Sequence, residues 1–170
     1  MKRVLFLALS LFVLGACASM MSGPSATATL APTSGQTASG TVQLRQMSDG
    51  AVQVTVDLTG VPEGVHGFHI HEKGDCGDNG NAAGGHFNPS GVAHGAPSAD
   101  PHHAGDFGNV TADPQGRVHA QFTTRSVTVG DGANSAVGHA IILHASPDDL
   151  QTQPTGNAGA RIACGVVTMN

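Results

Sequence analysis

The sequence predicts an all-β domain of about eight short antiparallel strands, closed into a sandwich or barrel and carrying two long functional loops. Three observations carry that expectation. Gly and Pro number 24 and 9 while only 11% of the 170 residues are charged, a balance that suits tight turns between strands better than helices. Apolar and polar residues alternate with a period of two in one segment after another. Two long stretches rich in Gly, Asn, Asp or Pro break the alternation, and loops of such length are functional when they are ordered.

At the N-terminus Lys2 and Arg3 precede an apolar run over residues 4–14, and Gly15, Ala16 and Ala18 follow. The run is too short to span a bilayer and reads as an export signal over residues 1–17. Leu14-Gly15-Ala16-Cys17 is similar to a bacterial lipoprotein signal, in which Cys17 takes the lipid and anchors the chain to a membrane. Ala16-Cys17-Ala18 equally fits an ordinary cleavage site. Lipidation is the favoured reading, since Cys17 would otherwise be an odd thiol in an oxidising compartment. Either way the chain is expected to be exported, to the cell envelope or periplasm. Residues 18–26, small and polar with Gly23-Pro24, are expected to form a flexible linker, and residues 27–170 the domain.

Within the domain, residues 41–46 and 52–58 alternate around Ser48-Asp49-Gly50 and predict a β-hairpin. Residues 26–30, 65–71, 107–111, 117–123, 140–144 and 161–168 complete the expected strands, with Asp113-Pro114-Gln115-Gly116 as a further hairpin turn. The stretches 72–106 and 145–160 are the two long loops. Their composition supplies no apolar core, so metal ligation or a disulfide has to pin them. With Cys17 set aside, Cys76 and Cys164 remain as an even pair in an exported chain, and a disulfide between them is expected. Such a bond closes a loop of roughly 90 residues, worth about 4–5 kcal/mol in chain entropy.

Charge narrows the partners. The formal net charge is −5, and loss of Lys2 and Arg3 with the signal leaves five basic against twelve acidic residues, a net of −7. With no basic run and six Phe as the only aromatic side chains, nucleic acid is excluded as a partner. Ten His in 170 residues is several times ordinary usage and points to metal.

His69 and His71 stand two apart in an apolar strand, so their rings share one face while Phe68 and Ile70 share the other. A lone strand histidine is usually a packed, hydrogen-bonded ring, but these two have company. His86, His94, His103 and Asp106 follow in the first long loop. Three imidazoles and a carboxylate complete a closed tetrahedral zinc site. His102 is the rival to His103.

Gly67-Phe68-His69-Ile70-His71-Glu72, Gly85-His86-Phe87-Asn88-Pro89, His94-Gly95, His103-Ala104-Gly105-Asp106, Gly108-Asn109-Val110 and Gly156-Asn157-Ala158-Gly159-Ala160-Arg161-Ile162-Ala163-Cys164-Gly165 together resemble the copper/zinc superoxide dismutases. The resemblance runs from about residue 27 to the C-terminus, and Glu72-Lys73-Gly74-Asp75-Cys76 is similar to the bacterial branch. It implies an eight-stranded Greek-key β-barrel holding one copper and one zinc ion per subunit, which turns the superoxide anion into dioxygen and hydrogen peroxide. By the same resemblance, copper is held by His69, His71, His86 and His144, and zinc by His86, His94, His103 and Asp106. The shared His86 is then an imidazolate that leaves copper when the metal is reduced and carries a proton to the peroxide. Arg161 matches the arginine that holds the anion beside copper. Asp148 matches a carboxylate that links His69 to His94 through their other ring nitrogens.

His66, His102, His119 and His139 are left as packing or surface residues. Two departures stand out: residues 149–155 lack the lysine that many relatives use for steering, leaving Lys73 or another subunit to supply it, and His139 replaces an arginine. Bacterial relatives include dimers and monomers, so a homodimer stays open. The rival functions are a metal carrier or buffer of the same fold, which would have lost copper ligands, and a zinc hydrolase, which needs an open zinc position. All the implied ligands are present.

Overall fold

In the computed structural model, which describes residues 23–170, all eight expected strands form. They are β1 (Ser25–Pro32), β2 (Ser39–Gln46), β3 (Val52–Thr59), β4 (Gly64–His71), β5 (Asp106–Ala112), β6 (Val118–Thr124), β7 (Ala140–His144) and β8 (Arg161–Met169). The expected signal over residues 1–17, Cys17 itself and residues 18–22 lie outside the described residues. β1 begins one residue ahead of the expected strand and two ahead of the expected start of the domain. Ser25 and Ala26, assigned to the linker, pair with Arg45 and Leu44, and Ala26 is fully buried, so this end of the linker belongs to the sheet.

The strands form one sheet in the order β5-β4-β7-β8-β1-β2-β3-β6, every pair antiparallel. This is the nearly closed Greek-key barrel of the expected fold class. The β2–β3 hairpin has the expected register, Val42 opposite Val56 and Leu44 opposite Val54. The turn at 113–116 also forms, with the Asp113 N–H donating to Arg117 O over 2.9 Å, but it does not join paired strands. β5 and β6 are the two ends of the sheet order; the turn bridges the open seam of the barrel. There Phe107 and Phe122 meet edge to face at 5.4 Å between ring centres, covering the seam with apolar area instead of a hydrogen-bond ladder.

Alternation builds the core. Val52, Val54, Val56 and Leu58 of β3 point inward against Val42 and Leu44 of β2 and Ala26, Ala28 and Leu30 of β1, as period two requires. β7 departs from the pattern because all five of its residues are buried. Ile141 and Leu143 enter the barrel core, while Ile142 turns outward into a second cluster with Ala140, Ala83 and Cys164. The first long loop covers that outer face through a kinked 3-10 segment, Asp78–Ala83. β4 is treated the same way: Phe68 and Ile70 fill the barrel, and His69 and His71, on its other face, are buried beneath the loops. A wall of the barrel covered on both sides is what allows polar ligands to be buried without breaking the core.

Candidate metal centre

Backbone hydrogen bonds bring the loop histidines to the end of β4. The Phe87 N–H donates to Ile70 O (2.8 Å), the Ile70 N–H to Gly105 O (3.0 Å) and the Gly105 N–H to Phe87 O (2.9 Å). His86 thereby pairs with His71 as an isolated bridge, and His103 and Asp106 are drawn alongside. The Asn88 side chain closes the following turn, accepting from the Val92 N–H (3.1 Å) and donating to Val92 O (2.9 Å).

Two sets of side chains result, one of His69, His71, His86 and His144, the other of His86, His94, His103 and Asp106, with the ligating atoms of each set within 4.8 Å of one another. All seven residues are buried, none more than 5% exposed. His86 belongs to both sets. His103, rather than its neighbour His102, faces the cluster: His102 spans Ala99 O (2.7 Å) and Ser126 Oγ (2.8 Å) instead.

The second set has the shape of a coordination polyhedron. Asp106 Oδ1 lies 2.8 Å from His86 Nδ1, 3.0 Å from His94 Nδ1 and 3.3 Å from His103 Nδ1. A tetrahedron with metal–ligand bonds of about 2.0 Å has edges of about 3.3 Å. Asp106 Oδ2 is held by the N–H groups of Gly95 (3.1 Å) and His103 (2.8 Å). Burial alone would raise the Asp106 pKa, but the bonds from His86 and from the Gly95 and His103 amides outweigh it and hold the group well below the carboxylate range.

The other nitrogen of nearly every ring is anchored. His69 Nε2 donates to Asp148 Oδ2 (2.7 Å) and His94 Nε2 to Asp148 Oδ1 (3.0 Å). His71 Nδ1 donates to Gly84 O (2.9 Å), His144 Nδ1 to Gly159 O (3.2 Å) and His103 Nε2 to Val92 O (3.1 Å). A neutral imidazole has one N–H, so each anchor leaves the inward nitrogen as a bare lone pair. His69 Nδ1, His86 Nε2 and His103 Nδ1 are buried with no hydrogen-bond partner. Such atoms are costly unless a cation takes them, and this donor set, imidazole nitrogen with a single carboxylate, suits copper and zinc. Burial, the main cause, lowers the pKa of His69 to about 4, of His71 to about 2 and of His144 to about 3. These three rings are neutral and ready to ligate at neutral pH.

The profile of the family described as copper/zinc superoxide dismutase matches residues 38–167. The chain belongs to that family. The solved crystal structure of the clock protein EA4 is similar to the dismutase chain at 36% identity, with a TM-score of 0.78, over 86% of this chain and 94% of that one. Copper and zinc are therefore the cofactors of this copper/zinc superoxide dismutase and superoxide its substrate.

Asp148 sits where the two sets meet, its backbone N–H on Asn109 Oδ1 (2.8 Å) and its carbonyl accepting from Asn109 Nδ2 (3.0 Å). Burial would raise its pKa, yet the bonds from His69, the Leu150 amide and His94 bring it down to about 2. Gly156, at φ +67°, passes so close that a Cβ there would collide with the Asp148 carboxylate and His94. Arg161, at the start of β8, spreads its guanidinium over Gly80 O and Gly84 O, 2.5 Å each. Its charge is felt at His71 and His144, where it adds to the lowering of both pKa values. The disulfide expected between Cys76 and Cys164 is formed. It ties β8, three residues beyond Arg161, to the turn in which the Gly80 N–H donates to Cys76 O (3.2 Å).

Three supporting residues escaped the sequence reading. Asn109 and Asn88 lay in quoted motifs without a role, and Gln153 lay in a loop noted only for its lack of lysine. His66 is the buried packing residue expected, its Nδ1 and Nε2 each 2.8 Å from a carbonyl, those of His144 and Pro62. His119 does lie at the surface against Asp57, and His139 rests on Phe87, its ring centre 4.0 Å away. Lys73 is 65% exposed beside Glu72.

Proposed function

We propose that the chain disproportionates superoxide at a copper held by His69, His71, His86 and His144, beside a zinc held by His86, His94, His103 and Asp106, with His86 bridging the two. One observation carries this reading. Every other ligand histidine has one ring nitrogen anchored on an oxygen beyond its own metal set, whereas His86 turns Nδ1 to Asp106 of one set and leaves Nε2 bare towards the other. A ring used at both nitrogens has to give up both protons, which flanking dications make favourable.

Copper when bound supplies one-electron chemistry, taking an electron from one superoxide and giving it to a second, while zinc supplies charge without redox change. His86 Nε2 is the atom that takes up and releases a proton for the peroxide, and its Nδ1 stays held on the Asp106 side. Arg161, fixed by two carbonyls and permanently charged, orients the anion. Asp106, Asp148 and an anionic His86 carry less negative charge than two dications supply, so the cleft stays positive although the chain is net negative.

The test is superoxide decay by pulse radiolysis for the copper- and zinc-loaded protein, the copper-free protein and Arg161→Ala. Rapid copper-dependent decay, slowed about tenfold or more by the substitution and less salt-dependent in the variant, is expected. Tight copper binding without turnover would instead make the chain a metal carrier.

For location, Lys2, Arg3, the apolar run and Cys17 support export with Cys17 lipidated, the residues between Cys17 and the start of β1 at Ser25 as a tether, and the catalytic domain from Ser25 onward in the cell envelope or periplasm. Cys17→Ser then moves the activity from the membrane to the soluble fraction; activity that stays on the membrane rejects the anchor.

A further inference from the structure

The second long loop, residues 145–160, runs from one copper-set ligand, His144, to Arg161, and it grips a zinc-set ligand from several sides. Asp148 holds the ring of His94 at Nε2, and Gly156 packs against the same ring edge. Gln153 holds the backbone. Its Oε1 accepts from the His94 N–H over 2.8 Å and its Nε2 donates to His94 O, also over 2.8 Å. The side-chain amide thus pairs with both backbone groups of one residue as a strand neighbour would.

His94 lies in a segment without secondary structure, and among the described residues Gln153 is the hydrogen-bond partner of both its backbone groups. On either side the backbone is held within the first loop itself, Val92 by the Asn88 side chain and the Gly95 N–H by Asp106, so Gln153 is the contact that reaches the His94 backbone from the second loop. Gln153 itself is placed by its own loop: Nε2 also reaches Gln151 O at 3.3 Å, and Asp149 caps the turn by accepting from the Thr152 amide (2.8 Å) and hydroxyl (2.6 Å).

We propose that Gln153 is a positioning residue for zinc, a clamp that fixes the His94 backbone while Asp148 fixes its ring. It couples zinc occupancy to the order of the loop that ends at Arg161. The inference rests on the assignment of zinc to His86, His94, His103 and Asp106. Gln153 is exposed on its outer side, so water can replace its two bonds in a variant. What is lost is therefore placement, not the satisfaction of a buried group.

The test uses the full metal-loaded chain, with zinc release followed by a chromophoric chelator and Co(II) placed in the zinc position as a spectroscopic probe. Gln153→Ala is expected to release zinc about tenfold faster, the lower end of the effect seen when partners of metal ligands are removed, and to shift the Co(II) d–d bands. Gln151→Ala, in the same loop but with no side-chain bond to His94, is expected to match the parent in both. Parent-like zinc release from Gln153→Ala overturns the clamp and leaves the zinc site standing. Equal acceleration in both variants also overturns it, because the effect then belongs to the loop in general. A parent chain that loads no zinc, or Co(II) bands indifferent to His94→Ala, overturns the site assignment and the clamp with it.

Discussion

Replacing Asp148 by asparagine removes one charge and almost no volume, and the geometry dictates a specific fault. The carboxylate accepts from three groups: His69 Nε2 at 2.7 Å, His94 Nε2 at 3.0 Å and the Leu150 N–H at 2.7 Å. An amide has one oxygen, so it can accept from His69 or from His94 but not from both. The ring left facing the NH₂ group has to turn its Nε2 into an acceptor, which moves its single proton to Nδ1. In both rings Nδ1 is the nitrogen aimed at the metal position, so that ring has to pay a tautomer penalty before it can ligate, and the other loses its anionic partner. Partners of this kind are worth about 10- to 100-fold in metal affinity, or about 1.4–2.7 kcal/mol at 1.36 kcal/mol per factor of ten. Competition against a graded series of chelators measures copper and zinc affinity separately, and the copper EPR spectrum reports the ligand field. Asp148→Asn is expected to weaken both metals, one of them by the full range. If the variant holds copper and zinc within twofold of the parent, the ring tautomers are not set by Asp148 and the reasoning fails.

Removing the Cys76–Cys164 bond, which spans 88 residues, is expected to cost about 4–5 kcal/mol by chain entropy, a fall of about 2 M in the urea midpoint if the slope is about 2 kcal/mol/M; a fall below about 0.5 M would mean that the Arg161 fork and the metal ligands already hold the loop. Stripping the metals makes the fold acid-sensitive. His69, His71 and His144 stay neutral in the fold to about pH 4, 2 and 3, whereas unfolded histidine protonates near pH 6.5. Their folded pKa values are depressed, so the stability they allow is present above pH 6.5 and is lost as pH falls. Near pH 5 the unfolded chain binds about three more protons, a slope of about 4 kcal/mol per pH unit. A urea midpoint of the chelated protein that stays flat from pH 6.5 to 5 would reject this, and the metal-loaded protein, whose ligands exclude protons, is expected to hold its midpoint over that range.

The strands were legible because the barrel is built on the simplest rule in the sequence, period-two alternation with one face inward. β3, with buried Val52, Val54, Val56 and Leu58 against exposed or half-buried neighbours, is the rule in its plain form. β7 could be placed as a strand, but not as one buried on both faces, since Ile141 and Ile142 read alike and only the covering 3-10 segment makes the outward one a core residue. The pairing of β5 with β6 was misjudged for a related reason. A turn sequence specifies a reversal of the chain, not a ladder, and the ladder partners of both strands, β4 and β3, come from elsewhere in the chain.

The site divides along the same line. Ten histidines mark metal, the spacing of His69 and His71 and the loop set of His86, His94, His103 and Asp106 mark where, and the family resemblance adds His144 and the division between copper and zinc; all seven reach the two clusters. The groups that aim them are amides and carbonyls, which every loop contains. Asn109 clasps the backbone of Asp148, Asn88 closes the turn that carries Val92 to His103, and Gly84 and Gly159 offer carbonyls to His71 and His144. None has a composition that sets it apart, because the hydrogen bond depends on where the chain brings the group and not on what the group is. Residue type, spacing and family resemblance therefore reach the metal ligands, whereas the anchors that decide which nitrogen of each ring faces inward emerge only once the loops are folded. In this chain that choice separates His86, turned to both sets, from the five histidines that face one.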